Sequence, residues 1–223
     1  MIATTLPTIL PPTPSCPVAI RISFYPYQIP VSYDEVRSLV PRLYSAYEDR
    51  VDLILHMGMT ENRNYYSIEK LAHRDNYDAY ADAYGARIDK RDGMSYWADC
   101  PPVLETSLDF DDVFQRWRSN LLDTPEVSSE QLDGVILRPS HDAGHFLCDF
   151  IYYSSLAEHW RHKKDRVGQD GVDDIDERPV IFMHVPKWAG TRDLQKGKLV
   201  TIGLLKALAQ SWIIRKSGGR VGK

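Results

Sequence analysis

The sequence predicts an α/β protein, a three-layer α/β/α sandwich on a mostly parallel sheet. Three observations carry this expectation. Short apolar runs alternate along the chain with segments whose apolar residues recur at helical spacing. Residues 51–57 are apolar on both faces at their centre, as expected of a strand that helices cover from both sides. Residues 135–137, Val-Ile-Leu, lead through small and polar residues into an apolar helix face from Phe150 to Leu156, a strand-turn-helix unit. With 223 residues and 43% apolar content, the chain suits a single domain spanning residues 1–223.

Residues 1–17 are rich in Thr and Pro and read as an extended segment. Val18, Ile20, Ile22 and Phe24 alternate with other residues, the period of a half-buried strand. Ser32 with Glu35 forms a capping box, and Val36, Leu39, Val40, Leu43, Tyr44 and Tyr47 follow at helical spacing, with Pro41 expected to kink or divide the helix. The strand at 51–57 should deliver residues 59–63 to the carboxyl edge of the sheet, where working loops leave an open α/β sheet. Residues 65–72, which include Glu69, read as a short strand or irregular segment, and 74–102 as a long loop or hairpin. Asp109 caps a helix marked by Phe110, Val113, Phe114 and Trp117. Residues 123–133 read as a loop and 161–178 as a charged, solvated loop, in which the acidic run from Asp173 to Glu177 lacks the ligand spacing of a calcium loop. Residues 180–185 form a buried strand. Leu199, Ile202, Leu205, Leu208, Ala209 and Trp212 mark a last helix packed on the sheet, with residues 217–223 as a frayed tail.

Net charge is −4 and Lys and Arg are interspersed with Asp and Glu, so the basic face that nucleic acid requires is missing. The three cysteines, Cys16, Cys100 and Cys148, have no C-x-x-C spacing and fit a reducing, cytoplasmic setting. The proline-broken start forms no signal sequence, and no apolar run approaches the ~20 residues of a membrane span. Seven histidines raise the question of metal. His141 and His145 are four apart but lack the glutamate of H-E-x-x-H, and Gly144 interrupts a regular helix there. They read as turn or surface residues, His56 as a satisfied core residue, and no metal or cofactor is assigned.

Cys148 falls in the first turn of the helix that follows the 135–137 strand. A thiol there feels the positive end of the helix dipole, which favours the thiolate, the nucleophilic form. A buried structural cysteine is the competing reading.

The run Asp142-Ala143-Gly144-His145-Phe146-Leu147-Cys148-Asp149, followed by Tyr152-Tyr153, resembles the cysteine segment of the pyroglutamyl peptidase I family, and its longer form resembles fungal members more than bacterial ones. Gly58-Met59-Thr60 through Arg63 to Glu69 resembles the family's G-Q-x-x-x-R segment and catalytic glutamate. Phe182-Met183-His184-Val185-Pro186 resembles its F-x-H-[VI]-P strand. The resemblance implies a cysteine peptidase that removes an N-terminal pyroglutamyl residue from peptides. Cys148 would be the nucleophile, His184 the base and acid, and Glu69 the group orienting the imidazole. Backbone N–H groups at the start of the Cys148 helix would hold the oxyanion, with Arg74 or Arg87 as the assisting arginine. Met59, which stands where relatives carry Gln, together with Phe146 and Leu147, would contact the lactam. The family's first strand and G-F-x-P-F loop have no counterpart in the sequence. The alternative is therefore a truncated, non-catalytic homologue that serves as a binding protein.

Overall fold

The computed structural model describes residues 2–47, 50–122, 129–166, 179–187 and 190–218. In chain order the elements are β1 (Ile9–Leu10), β2 (Ile20–Arg21), α1 (Tyr33–Tyr47), β3 (Ile54–Thr60), β4 (Tyr66–Glu69), β5 (Leu71–His73), α2 (Asp92–Tyr96), β6 (Val103–Glu105), α3 (Phe110–Leu122), β7 (Leu137–Ser140), α4 (Leu147–Arg166), β8 (Val180–Pro186) and α5 (Thr191–Gly218). The central sheet runs β3-β8-β4-β7. β3 with β8 and β4 with β7 are parallel, whereas β4 and β8 are antiparallel. The chain is thus an α/β sandwich with a mostly parallel sheet. Small antiparallel pairs, β1 with β2 and β5 with β6, lie outside it.

Alternation along β8 builds the two cores. Val180 and Phe182 enter one cluster with Val36 and Val40 of α1 and Phe150 and Leu156 of α4. Ile181, Met183 and Val185 enter the other with Val113 and Trp117 of α3 and Val200 and Leu204 of α5. A strand buried on both faces needs apolar side chains at every position, which is why this run is continuous rather than alternating. On the second face the Trp117 indole donates to the Val200 carbonyl at 2.9 Å, tying α3 to α5. Asp109 caps α3 as expected, its carboxylate accepting from the Asp112 N–H at 3.1 Å.

Elsewhere the structure corrects the sequence reading. Residues 18–24 hold only the two-residue β2, and Val18 and Phe24 are exposed, so their alternation is not that of a half-buried strand. The Pro-rich start, read as extended, is held against the body of the protein, for Ile2, Leu10 and Cys16 are buried and Thr13 and Cys16 bridge through their backbones. Pro41 does not divide α1. The apolar face of Val36, Leu39 and Val40 packs inward around it, and that burial outweighs one lost backbone hydrogen bond. The 51–57 strand lies three residues later, so Met59 and Thr60 belong to β3 rather than to a loop. Within 161–178 the first residues continue α4 to Arg166, while the rest, including the Asp173 to Glu177 run, lies outside the described residues. In the 217–223 tail, α5 extends to Gly218 and residues 219–223 lie outside them too. α5 is long and apolar enough by composition to cross a membrane, but 61% of its most apolar window is buried against the protein, as befits a core helix.

Candidate active site

Sheet register decides which side chains meet. Gly58 of β3 and Ser67 of β4 both pair with His184 of β8, and Glu69 pairs with Phe182. Register partners project to the same face of a sheet, as do residues two apart along a strand. Gly58, His184, Ser67, Phe182 and Glu69 therefore share one face, and the burial of Phe182 identifies it as the α1/α4 face. The turn after β7 leads Cys148 onto this face as the second residue of α4.

The cysteine sulfur rests on Gly58. A Cβ at that position would lie 2.8 Å from Cys148 Sγ and 2.6 Å from Phe182 Cζ, so no larger residue fits without displacing one of them. Gly58 and His184 are register neighbours across β3 and β8, so the sulfur over Gly58 lies on the same face as, and beside, the His184 position. Behind the imidazole, Glu69 Oε1 accepts from His184 Nδ1 at 2.8 Å, from Ser67 Oγ at 3.0 Å and from Arg63 Nη1 at 2.6 Å. With Nδ1 bonded to the carboxylate, Nε2 is left as the nitrogen for proton exchange with the thiol. Glu69 is 0% exposed and His184 is 4% exposed, so the pair is shielded from solvent.

Burial opposes ionisation of Glu69, but hydrogen bonds from His184 and Ser140, helped by the His184 and Arg63 charges, outweigh it and hold the carboxyl below its usual range. Cys148 goes the other way. Burial pushes its thiol up to about 11, the Asp149 and Glu69 charges add to this, and Arg63 opposes it. The thiolate expected from the helix dipole is thus not the resting form. The dipole contributes at most ~2 kcal/mol, whereas desolvation moves buried groups by several pKa units.

Arg63 also reaches the Asp142 carbonyl at 2.9 Å, fastening the turn before α4 to the carboxylate. Gly144 in that turn has φ +89°, a conformation glycine adopts without strain. Neither arginine proposed from the sequence lies here. Arg74 bonds Asp75 and the Cys100 carbonyl, and Arg87 bonds the Asp78 and Ala79 carbonyls. The arginine at the site is Arg63, whose signal was its place in the G-Q-x-x-x-R-like segment six residues before Glu69. Ser67 was also missed; its i, i+2 relation to Glu69 on a strand places both on one face.

Of the residues expected to contact substrate, Phe146 is half-buried beside the start of α4, with its ring against Tyr33 and Tyr80. Leu147 is buried in the α1/α4 core. Met59 needs correction. It pairs with Val185 and alternates with Gly58, so its side chain projects to the α3/α5 face, away from Cys148.

Helix geometry leaves the first N–H groups of α4 without intrahelical acceptors. The Phe150 N–H bonds the Phe146 carbonyl at 2.9 Å, so the N–H groups of Leu147, Cys148 and Asp149 are the ones positioned for an anion. A cavity of about 460 Å³ at the same sheet edge is lined by Arg63, Asn62, Pro186, Lys187 and Lys196 but not by Cys148, Glu69 or His184. His56, His159 and His162 are structural. His56 bonds Ser155 Oγ at 2.7 Å and burial lowers its pKa to about 4, and His159 and His162 pack on Tyr44.

No protein-family model matches the chain. It is 29% identical over 138 residues to pyroglutamyl-peptidase 1 of Rattus norvegicus and, equally, of Homo sapiens, covering 60% of this chain and 56% of each relative. The match thus spans about half the length of those curated relatives. Among solved structures, pyrrolidone carboxyl peptidase from Thermococcus litoralis superposes with a TM-score of 0.60 over 97% of this chain and 86% of that one, at 15% identity. The Thermus thermophilus enzyme gives 0.54 over 91% and 87%, at 19% identity. Over those 138 residues the chain is similar in sequence to pyroglutamyl-peptidase 1, and over nearly its whole length it shares the fold of pyrrolidone carboxyl peptidases.

Proposed function

We propose that this chain is a cysteine peptidase of the pyroglutamyl peptidase I kind, hydrolysing the amide bond after an N-terminal pyroglutamyl residue of peptides. The observation that carries the reading is the placement of a thiol, an imidazole and a buried carboxylate on one face of one sheet. Because the resting thiol is protonated, attack begins with transfer of its proton to His184 Nε2. Sulfur then bonds to the pyroglutamyl carbonyl carbon. The oxyanion faces the free N–H groups at the start of α4, and Glu69 stabilises the imidazolium. Collapse breaks the C–N bond, and His184 returns the proton to the leaving amine. Water, deprotonated by the same imidazole, then cleaves the thioester and regenerates the thiol. Phe146 is assigned to the wall of the lactam site and Arg63 to holding Glu69 ionised. Three unpaired cysteines fit action in a reducing compartment such as the cytoplasm.

A non-catalytic binding role is not favoured, because such a role needs neither a buried Glu69–His184 pair nor a glycine cleared for the sulfur. The test is hydrolysis of a fluorogenic pyroglutamyl amide by this chain and by its Cys148→Ala variant. Turnover that the variant lacks supports the reading; equal rates reject it.

A further inference from the structure

On the far side of Cys148, the fold gathers a second set of ligand-type groups. Asp149, 0% exposed, turns from α4 toward β5, where its Oδ2 lies 3.2 Å from His73 Nδ1 and accepts from Tyr77 Oη at 2.9 Å. His145, exposed in the turn before α4, brings its ring to 4.7 Å from that of His73, centroid to centroid. One ligand atom from each of His73, His145 and Asp149 lies within 4.8 Å of the others. Sequence spacing pairs His145 with His141, but His141 instead packs against Phe110.

We propose that His73, His145 and Asp149 bind a divalent transition-metal ion of the zinc class, with a fourth position open to solvent. Two imidazoles and a carboxylate are a donor set that such ions accept. Bonds of ~2.0–2.2 Å in a tetrahedron separate the donor atoms by ~3.3 Å. The Asp149–His73 pair is already at that separation, and a rotation of the exposed His145 side chain brings in the third donor. Tyr77 supplies the outer hydrogen bond that holds a ligating carboxylate in place. The exposed ring of His145 marks the entry path, and the buried Asp149 the fixed floor. This site stands apart from Glu69 and His184 and does not depend on the peptidase reading.

The test is calorimetric titration of Zn²⁺ into the Cys148→Ser chain, which removes the nearby thiol as a competing ligand. One equivalent should bind, with affinity at least about tenfold weaker after His145→Ala, an exposed change that leaves melting of the metal-free chain unaltered, and weaker too after His73→Gln. The Co²⁺-loaded Cys148→Ser chain should show no thiolate-to-cobalt charge-transfer band. Absence of binding, affinity unchanged by His145→Ala, or an ion held only when Cys148 is present would each overturn the proposal.

Discussion

Two buried carboxylate–imidazole pairs flank Cys148, and they behave in opposite ways. Glu69 with His184 sits below its usual range, whereas Asp149 with His73 sits above it. Burial pushes both up, and each carboxylate accepts a histidine and a hydroxyl, Ser67 in one case and Tyr77 in the other. Glu69 has in addition a Ser140 hydrogen bond and the Arg63 guanidinium, while among the described residues no arginine or lysine bonds Asp149. A carboxylate beside a histidine is therefore not by itself a catalytic pair. What sets one apart is a set of hydrogen bonds and a cation that together keep the acid ionised, and a strand register that puts the imidazole on the face of the sulfur.

The largest effects should separate the two histidines. His184→Ala is expected to lower kcat/KM on a pyroglutamyl amide by about 10³-fold or more, and His73→Gln by no more than about tenfold. Comparable losses in steady-state assays would erase the distinction between the pairs. Glu69→Gln should cost about 10²- to 10⁴-fold, since an amide neither selects the same tautomer nor stabilises the imidazolium, whereas Asp149→Asn should cost far less.

Next comes Gly58. A methyl group there must displace the sulfur or the Phe182 ring. Displacement of a nucleophile by about 1 Å costs on the order of 10²-fold, so Gly58→Ala should lose that much kcat while remaining folded by circular dichroism. Retention of full activity would mean that the sulfur acts from somewhere else.

Subtler shifts should appear in pH profiles. Arg63→Met removes a cation that depresses Glu69, so the acid limb of kcat/KM should move to higher pH, an outcome read from a pH–rate series. In stability the two acids should differ in sign. The folded value of Glu69 is lowered, so its contribution is present above the unfolded value of ~4.3 and fades as pH falls through the folded value. The folded value of Asp149 is raised, so its contribution is complete below ~3.9 and fades as pH rises through the folded value. Denaturation across pH should therefore show the deficit of Glu69→Gln shrinking in acid and that of Asp149→Asn shrinking toward neutrality.

Patterns that depend on local period were legible in the sequence. The continuous apolar run of β8 and the Asp109 cap of α3 required no tertiary knowledge, and the strand-turn-helix pattern around Cys148 placed it correctly in the first turn of α4. Features created by neighbours distant in sequence were not. The elevated Cys148 pKa comes from burial under elements that local pattern does not report. The Arg63 contact to Asp142 spans 79 positions, and the meeting of His73 with Asp149 spans 76. Met59 was misassigned because motif alignment fixes position along a strand but not face, which a one-residue step reverses.

The account rests on Cys148 as the sulfur that His184 activates. Its most direct test is labelling with a pyroglutamyl halomethyl ketone, followed by peptide mapping and comparison with His184→Ala. The account predicts one label per chain, on Cys148, formed much more slowly without the imidazole. Label on Cys16 or Cys100, or equal labelling rates with and without His184, would contradict it.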